Sequence, residues 1–326
     1  MTLDFSRAGE VLTEATEVAL ACHVNPDADA LGSMLGLAAF LRLRGVRTVC
    51  SYPNDPLEPP RWASMLPGAD DLVPAREFPK SPDVMVTCDC AAFDRLAQLG
   101  HVANRARELI WIDHHRSNDG LGTIPLIDGD ASSTCEMVFR LIETMGGPMP
   151  DDTAICLYAG LVTDTGKFQY EATTPETLRI AARLREHDFD HSRLVQALYE
   201  DNPPSYLRLV GVALGRLEHV ADAGLVWTYL TQADLRDAGI KAGETEDLID
   251  VIRTARDVDV AAIVKQQKDG RFKVSVRSRG GHDLATVAAA FGGGGHRLAA
   301  GYTSAHGPAE TVDLLTKALL GQPVAS

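Results

Sequence analysis

The apolar positions of this chain change their period along its length. Val18 to Val24 is a mostly apolar run, the pattern of a strand buried on both faces. Leu31 to Arg44 follows with Leu31, Leu35, Ala38, Ala39, Leu41 and Leu43 at helical spacing, and Gly45 stops it. Thr48 to Tyr52, Val84 to Thr87 and Leu109 to Ile112 read as further short strands, with a proline-rich loop from Pro53 to Pro60. Ser132 to Thr144 reads as a helix closed by Gly146-Gly147-Pro148. Asp151 or Asp152 is expected to cap the next helix, which runs to about Val162, and Pro175 opens another. Strands alternating with helices predict an α/β fold around a parallel sheet. In such sheets, sites form beyond the carboxyl ends of the strands.

The pattern changes after residue 186. His187 to Leu217 is helical but broken at Asn202-Pro203-Pro204, and reads as a helical linker over 187–218. A smaller α/β domain is expected over 219–326. Its strands are Leu225 to Leu230, Val258 to Gln266, and Arg271 to Arg277, where Phe272, Val274 and Val276 alternate with polar residues. Leu284 to Phe291 and Thr311 to Leu320 read as helices, and Gly292-Gly293-Gly294-Gly295 between them as a loop.

Composition narrows the classes. With 326 residues, 45% of them hydrophobic, the chain can build two real cores. No apolar stretch approaches the roughly 20 residues of a membrane span. The N-terminal residues lack the basic start and apolar block of a secretory signal, so a cytoplasmic location and no membrane partner are expected. The six cysteines form no CxxC pair and read as reduced, buried thiols. A net charge of −14 disfavours a long nucleic-acid partner. A small phosphate compound remains open if bound cations and a few arginines supply positive charge locally.

Candidate chemistry sits at the ends of the predicted elements. His23-Val24-Asn25-Pro26-Asp27-Ala28-Asp29 puts one imidazole and two carboxylates just after the first strand. Asn-Pro-Asp is also a turn signal, and Asp27 or Asp29 could simply cap the helix that follows. Asp89 follows the third strand and Asp113-His114-His115 the fourth; Asp164 lies in Thr163-Asp164-Thr165-Gly166. Carboxylates and imidazoles suit Mn²⁺ or a similar divalent ion, and they exceed what one ion needs. The reading is a two-metal hydrolase. Adjacent histidines point in different directions, so one is expected to ligate and one to face phosphate, with Asp113 fixing an imidazole from behind. Gly292 to Gly295 before His296 could expose amides to an anion, and Arg277 and Arg279 could add forked contacts to phosphate.

These motifs closely resemble the DHH phosphoesterase family, in its branch with a type 1 DHH-associated C-terminal domain, over nearly the whole chain. The matching segments are His23-x-Asn25-Pro26-Asp27-x-Asp29-Ala30-x-Gly32-Ser33, Asp89, Asp113-His114-His115, Asp164, Arg277-Ser278 and Gly292 to His296 with Ala299-Ala300-Gly301. The resemblance implies two divalent metal ions, Mn²⁺ before Mg²⁺ or Co²⁺. His23, Asp27 and Asp89 would hold one ion. Asp29, Asp89, His114 and Asp164 would hold the other, and His115 would face the scissile phosphate, with Asp113 also in the catalytic group. Arg277, Ser278, Arg279, Gly293, Gly294, Gly295 and His296 would bind substrate across a cleft. The implied substrates are short oligoribonucleotides, linear or cyclic di-adenylate, or 3′-phosphoadenosine 5′-phosphate. An inorganic pyrophosphatase of the same superfamily and a non-catalytic nucleotide sensor are the alternatives. A homodimer is compatible with the resemblance, which leaves oligomeric state open.

Overall fold

The computed structural model describes residues 3–118 and 120–322, and it divides into two compact units that meet at Asp201 and Asn202. The helices on either side of Asn202-Pro203-Pro204 fall in different units. The 187–218 stretch is therefore shared between the units: its first helix belongs to one and its second to the other.

The first unit runs α1 (Phe5–Glu14), β1 (Glu17–Cys22), α2 (Ala28–Leu43), β2 (Arg47–Ser51), β3 (Val84–Cys88), α3 (Gly100–Ala103), β4 (Glu108–Asp113) and β5 (Ile124–Ile127). It continues with α4 (Thr134–Met145), α5 (Asp151–Asp164), α6 (Pro175–Leu184) and α7 (His191–Tyr199). Its five strands form a wholly parallel sheet in the order β2-β1-β3-β4-β5. The apolar runs of β1, β3 and β4 are buried on both faces. On one face Leu20, Val86, Ile110 and Ile112 join α2, α4 and α5 in the larger core; on the other, Ala19, Ala21, Met85 and Trp111 form a smaller one. β1 ends at Cys22, short of the expected Val24, because Asn25 turns the chain with a positive φ of 53°. Reciprocal hydrogen bonds with Asn54 hold that turn. Pro150, not Asp151 or Asp152, stands at the N-cap of α5. The two aspartates lie inside the first turn, where negative charge still favours the helix dipole.

The second unit runs α8 (Pro204–Gly215), β6 (Glu218–Val220), β7 (Leu225–Leu230), α9 (Gln232–Ala238), α10 (Leu248–Ile252), β8 (Val260–Gln266) and β9 (Phe272–Ser278). It ends with α11 (Leu284–Ala289), β10 (Gly294–His296), β11 (Ala299–Ser304) and α12 (Pro308–Leu319). Its sheet is mixed, in the order β10-β11-β9-β8-β7-β6, and only β7 and β8 pair in parallel. One face packs on α11 and α12, the other on α8, α9 and α10. The glycine run is not wholly a loop, since Gly294, Gly295 and His296 pair with Gly301, Ala300 and Ala299.

Candidate active site

Three adjacent strands deliver most of the first unit's site. His23 follows β1, Asp89 follows β3, and Asp113, His114 and His115 close β4. The sheet order thus brings residues far apart in sequence to one edge. Asp27 and Asp29 come from the start of α2, and Asp164 from the last residue of α5.

Close helix packing sets the depth of Asp29. A Cβ on Gly32 would collide with the Cys156 carbonyl, and one on Gly160 with the Cys135 thiol and Asp29 itself. Only glycine at these positions lets α2 and α5 approach this closely.

Asp89 lies at the centre. It is 2% exposed, and its backbone takes a positive φ of 55°. Its Oδ2 faces His23 Nε2 at 3.5 Å, while its Oδ1 faces His114 Nε2 at 3.6 Å and His115 Nδ1 at 3.7 Å. His23 Nε2 also stands 4.0 Å from Asp27 Oδ2; His114 Nε2 stands 3.9 Å from Asp29 Oδ2 and 3.3 Å from Asp164 Oδ2. The donor atoms form three overlapping groups: His23-Asp27-Asp89, Asp29-His114-Asp164 and Asp89-His114-His115. Asp27 has two tasks. Its Oδ1 accepts the backbone N–H groups of Asp29 and Ala30, which caps α2, and its Oδ2 faces His23.

Behind these groups stand residues that the sequence pattern did not single out. The Thr134 and Cys135 amides at the start of α4 donate to the two Asp29 oxygens at 2.6 and 2.9 Å. Thr134 Oγ1 donates to Asp89 Oδ1 at 2.9 Å, so this one residue orients both carboxylates. Buried Glu136 accepts from Ser132 Oγ and Thr177 Oγ1 and holds that turn in place. Ser132-Ser133-Thr134 before Glu136 was a legible helix-start signal. Asp113 is wholly buried; it accepts from His115 Nδ1 at 2.6 Å and from Asn118 Nδ2 at 2.7 Å. No local signal marks Asn118 in the sequence. Arg95 is a further such residue, with its Nη2 at 2.8 Å from His23 Nδ1.

The charges are crowded. Burial drives the Asp29 carboxyl well above its ordinary range, and repulsion from Asp89 and Asp164 adds to this. Burial, then Asp89 and Asp27, push Asp164 the same way, although its side chain is 31% exposed and water screens part of the effect. Burial also opposes the Asp89 charge, but His23, His114 and His115 outweigh it and hold its carboxyl below the usual range. For His115, burial works against the charged ring, yet the Asp113 hydrogen bond and nearby carboxylates raise it to about 9. Crowded, buried carboxylates need positive charge among them. The donors are oxygen and nitrogen, with no thiol in any of the three groups, and that set fits hard or borderline divalent cations.

The second unit places its expected residues on and around one end of its sheet. Arg277 on β9 lies opposite Ala299 on β11, which lies opposite His296 on β10. They share a face, and two strand spacings separate Arg277 from His296 by about 10 Å. Ser278 and Arg279 are engaged by the fold. Ser278 Oγ donates to Asp259 at 3.0 Å and accepts the Gly280 N–H, and Arg279 donates to the Arg253 carbonyl at 2.8 Å. Gly293 and Gly295 have no room for a side chain, whereas Gly294 faces open space.

Comparison with known proteins gives the family. The DHH family N-terminal domain matches residues 17–161, and the DHHA1 domain matches residues 223–321. The chain belongs to the DHH family, whose members are divalent-metal-dependent hydrolases of phosphoester bonds. Among its relatives is the bifunctional oligoribonuclease and PAP phosphatase NrnA of Thermus thermophilus, 33% identical over 87% of this chain and 83% of that protein. The Bacillus subtilis protein of the same name is 28% identical over 86% of each chain. The crystal structure of an exopolyphosphatase-related protein from Bacteroides fragilis superposes with a TM-score of 0.90 at 27% identity, covering 97% of this chain and 95% of that one.

Proposed function

We propose that this chain hydrolyses short oligoribonucleotides of two to four residues, linear or cyclic di-adenylate among them, to mononucleotides, and/or 3′-phosphoadenosine 5′-phosphate to AMP. The observation that carries the reading is Asp89, whose two oxygens face two separate His–Asp groups. His23, Asp27 and Asp89 would hold one divalent ion, and Asp29, Asp89, His114 and Asp164 the other, with Mn²⁺ the expected metal. When bound, such ions supply Lewis-acid charge and lower the pKa of water.

The chain's own residues do the rest. Asp113 and Asn118 fix the His115 ring, so its Nδ1–H points at Asp113 and its other edge is directed by that bond. A ring so held can donate to a phosphoryl oxygen as negative charge develops there. Thr134 keeps the Asp29 and Asp89 oxygens aimed while substrate enters. Arg277 and His296 would hold a second phosphate or base of the nucleotide, and the Gly294 edge allows close approach. The test is release of mononucleotide from a dinucleotide, and of phosphate from 3′-phosphoadenosine 5′-phosphate, before and after chelation and Mn²⁺ return. No product from either substrate with Mn²⁺ present would rule the assignment out.

A further inference from the structure

Arg95 makes a contact that a metal-ligating His23 cannot keep. Its Nη2 is 2.8 Å from His23 Nδ1, and the Val24 carbonyl is also 2.8 Å from that nitrogen. An arginine only donates, so the Arg95 contact requires a bare Nδ1 and puts the ring proton on Nε2. Nε2 is the atom that faces Asp27 and Asp89. To offer its Nε2 lone pair there, His23 must carry its proton on Nδ1 and donate it to Val24. The hydrogen bond from the guanidinium to Nδ1 is then lost. Among the described residues Arg95 forms no ion pair with a carboxylate; its side-chain hydrogen bond is the one to His23.

Its backbone, by contrast, is anchored. The Arg95 carbonyl accepts the Val24 N–H at 3.0 Å, which ties the turn Phe93–Leu99 to the loop after β1. Gln98 binds the Pro53 carbonyl from the same turn at 2.7 Å. Two residues after Arg95, Ala97 holds a left-handed φ of 41°, a strained conformation for a residue with a Cβ. Other cations near the cluster are engaged. Arg116, next to His115, pairs with Asp130, and the Lys167 ammonium sits 4.0 Å from the centre of the Tyr199 ring.

We infer that Arg95 is a substrate-binding residue: released from His23 when that ring ligates, its guanidinium takes a non-bridging oxygen of the substrate phosphate. This rests on the proposed function. Arginine suits the task because its fork can meet two phosphate oxygens at once.

The experiment uses Arg95→Gln and Arg95→Lys in the full chain. Mn²⁺ binding is followed by electron paramagnetic resonance, inorganic phosphate binding to the Mn²⁺-loaded protein by calorimetry, and dinucleotide hydrolysis by product release. Arg95→Gln is expected to leave Mn²⁺ stoichiometry unchanged and Mn²⁺ affinity no lower, since the contact it removes opposes ligation by His23. It should weaken phosphate binding and raise the dinucleotide KM, each by about 10- to 100-fold for a lost charge-assisted contact. Arg95→Lys should recover part of both. Unchanged phosphate affinity and KM in Arg95→Gln would overturn the inference and leave the proposed function standing. A parallel fall in Mn²⁺ affinity would also overturn it, because Arg95 would then act through His23. A wild-type chain that binds no Mn²⁺ and cleaves no dinucleotide would take down the proposed function and this inference together.

Discussion

The two units place functional groups in opposite ways. At the sheet edge of the first, five aspartates and three histidines crowd together, several of them buried, and the fold sustains charge repulsion there. Along one end of the second, the edge strand exposes Gly294 and Gly295, and Ala299 separates Arg277 from His296. A crowded acidic centre is made to hold cations. A small-residue edge with spaced donors would, on the proposed function, let a ligand come near the backbone. If this contrast is right, changes in the first unit remove chemistry and changes in the second alter grip.

The largest effect is expected at Asp89. Asp89→Ala should cut turnover by roughly three orders of magnitude or more, since one carboxylate serves both ligand groups. Circular dichroism should show a folded protein, and metal analysis fewer than two bound ions. Near-normal turnover with full metal content would collapse the distinction between the units at once.

Next come Arg277→Ala and His296→Ala. Both should retain Mn²⁺. Each should weaken nucleotide binding by about 1.5–3 kcal/mol. A small chromogenic phosphodiester, with no second nucleotide for these residues to hold, should be cleaved almost as before. Equal losses on both substrates would mean that the second unit acts on the chemistry.

The third effect concerns stability and its sign. Asp29 and Asp164 have raised carboxyl pKa values, and His23 and His115 raised imidazole values, His115 reaching about 9. For all four, the folded chain binds protons more tightly than the unfolded chain does. Stability from the histidines is therefore full below their unfolded value and is lost as pH rises through the folded one. The two carboxylates cost stability once they must ionise. Chelated protein should melt at a lower temperature at pH 9 than at pH 6.5, and Mn²⁺ should restore more at the higher pH. A chelated protein whose melting temperature rose over this interval would show that the crowding is relieved by something other than protons or cations.

Much of this was legible in the chain because the signals were local. Apolar runs ending in His23, Asp89 and Asp113 located the strands, and the parallel α/β class followed from their alternation with helices. What lay hidden depends on tertiary approach. Thr134, Asn118 and Arg95 touch site residues that are distant in sequence or reached only through a turn, and no periodicity marks them. The short strands β5, β6 and β10 were missed because three or four residues give too little alternation to read. The glycine run was read as a single exposed loop. In the fold its members differ, because β11 passes directly behind some of them and not others.

That difference gives the smallest effect and the finest test of the contrast. At Gly293 a Cβ would strike the Gly301 carbonyl and the backbone and Cβ of Tyr302, none of which can swing away. At Gly295 it would meet Ala299 and Ala300, and the φ of 144° disfavours any side chain. Gly293→Ala and Gly295→Ala should each destabilise the protein by about 1–3 kcal/mol, the usual cost of forcing atoms into packed backbone. Gly294 has nothing within 4 Å of such an atom, so Gly294→Ala should change stability by less. A shift within about 0.5 kcal/mol is expected, as for surface substitutions generally. Its effect should appear instead as a higher KM for the dinucleotide with kcat nearly unchanged, because on the proposed function the methyl would stand where the ligand approaches. Should Gly294→Ala leave KM untouched while the other two merely unfold the domain, the glycines would be there for strand packing alone. Nucleotide contact would then rest on Arg277 and His296.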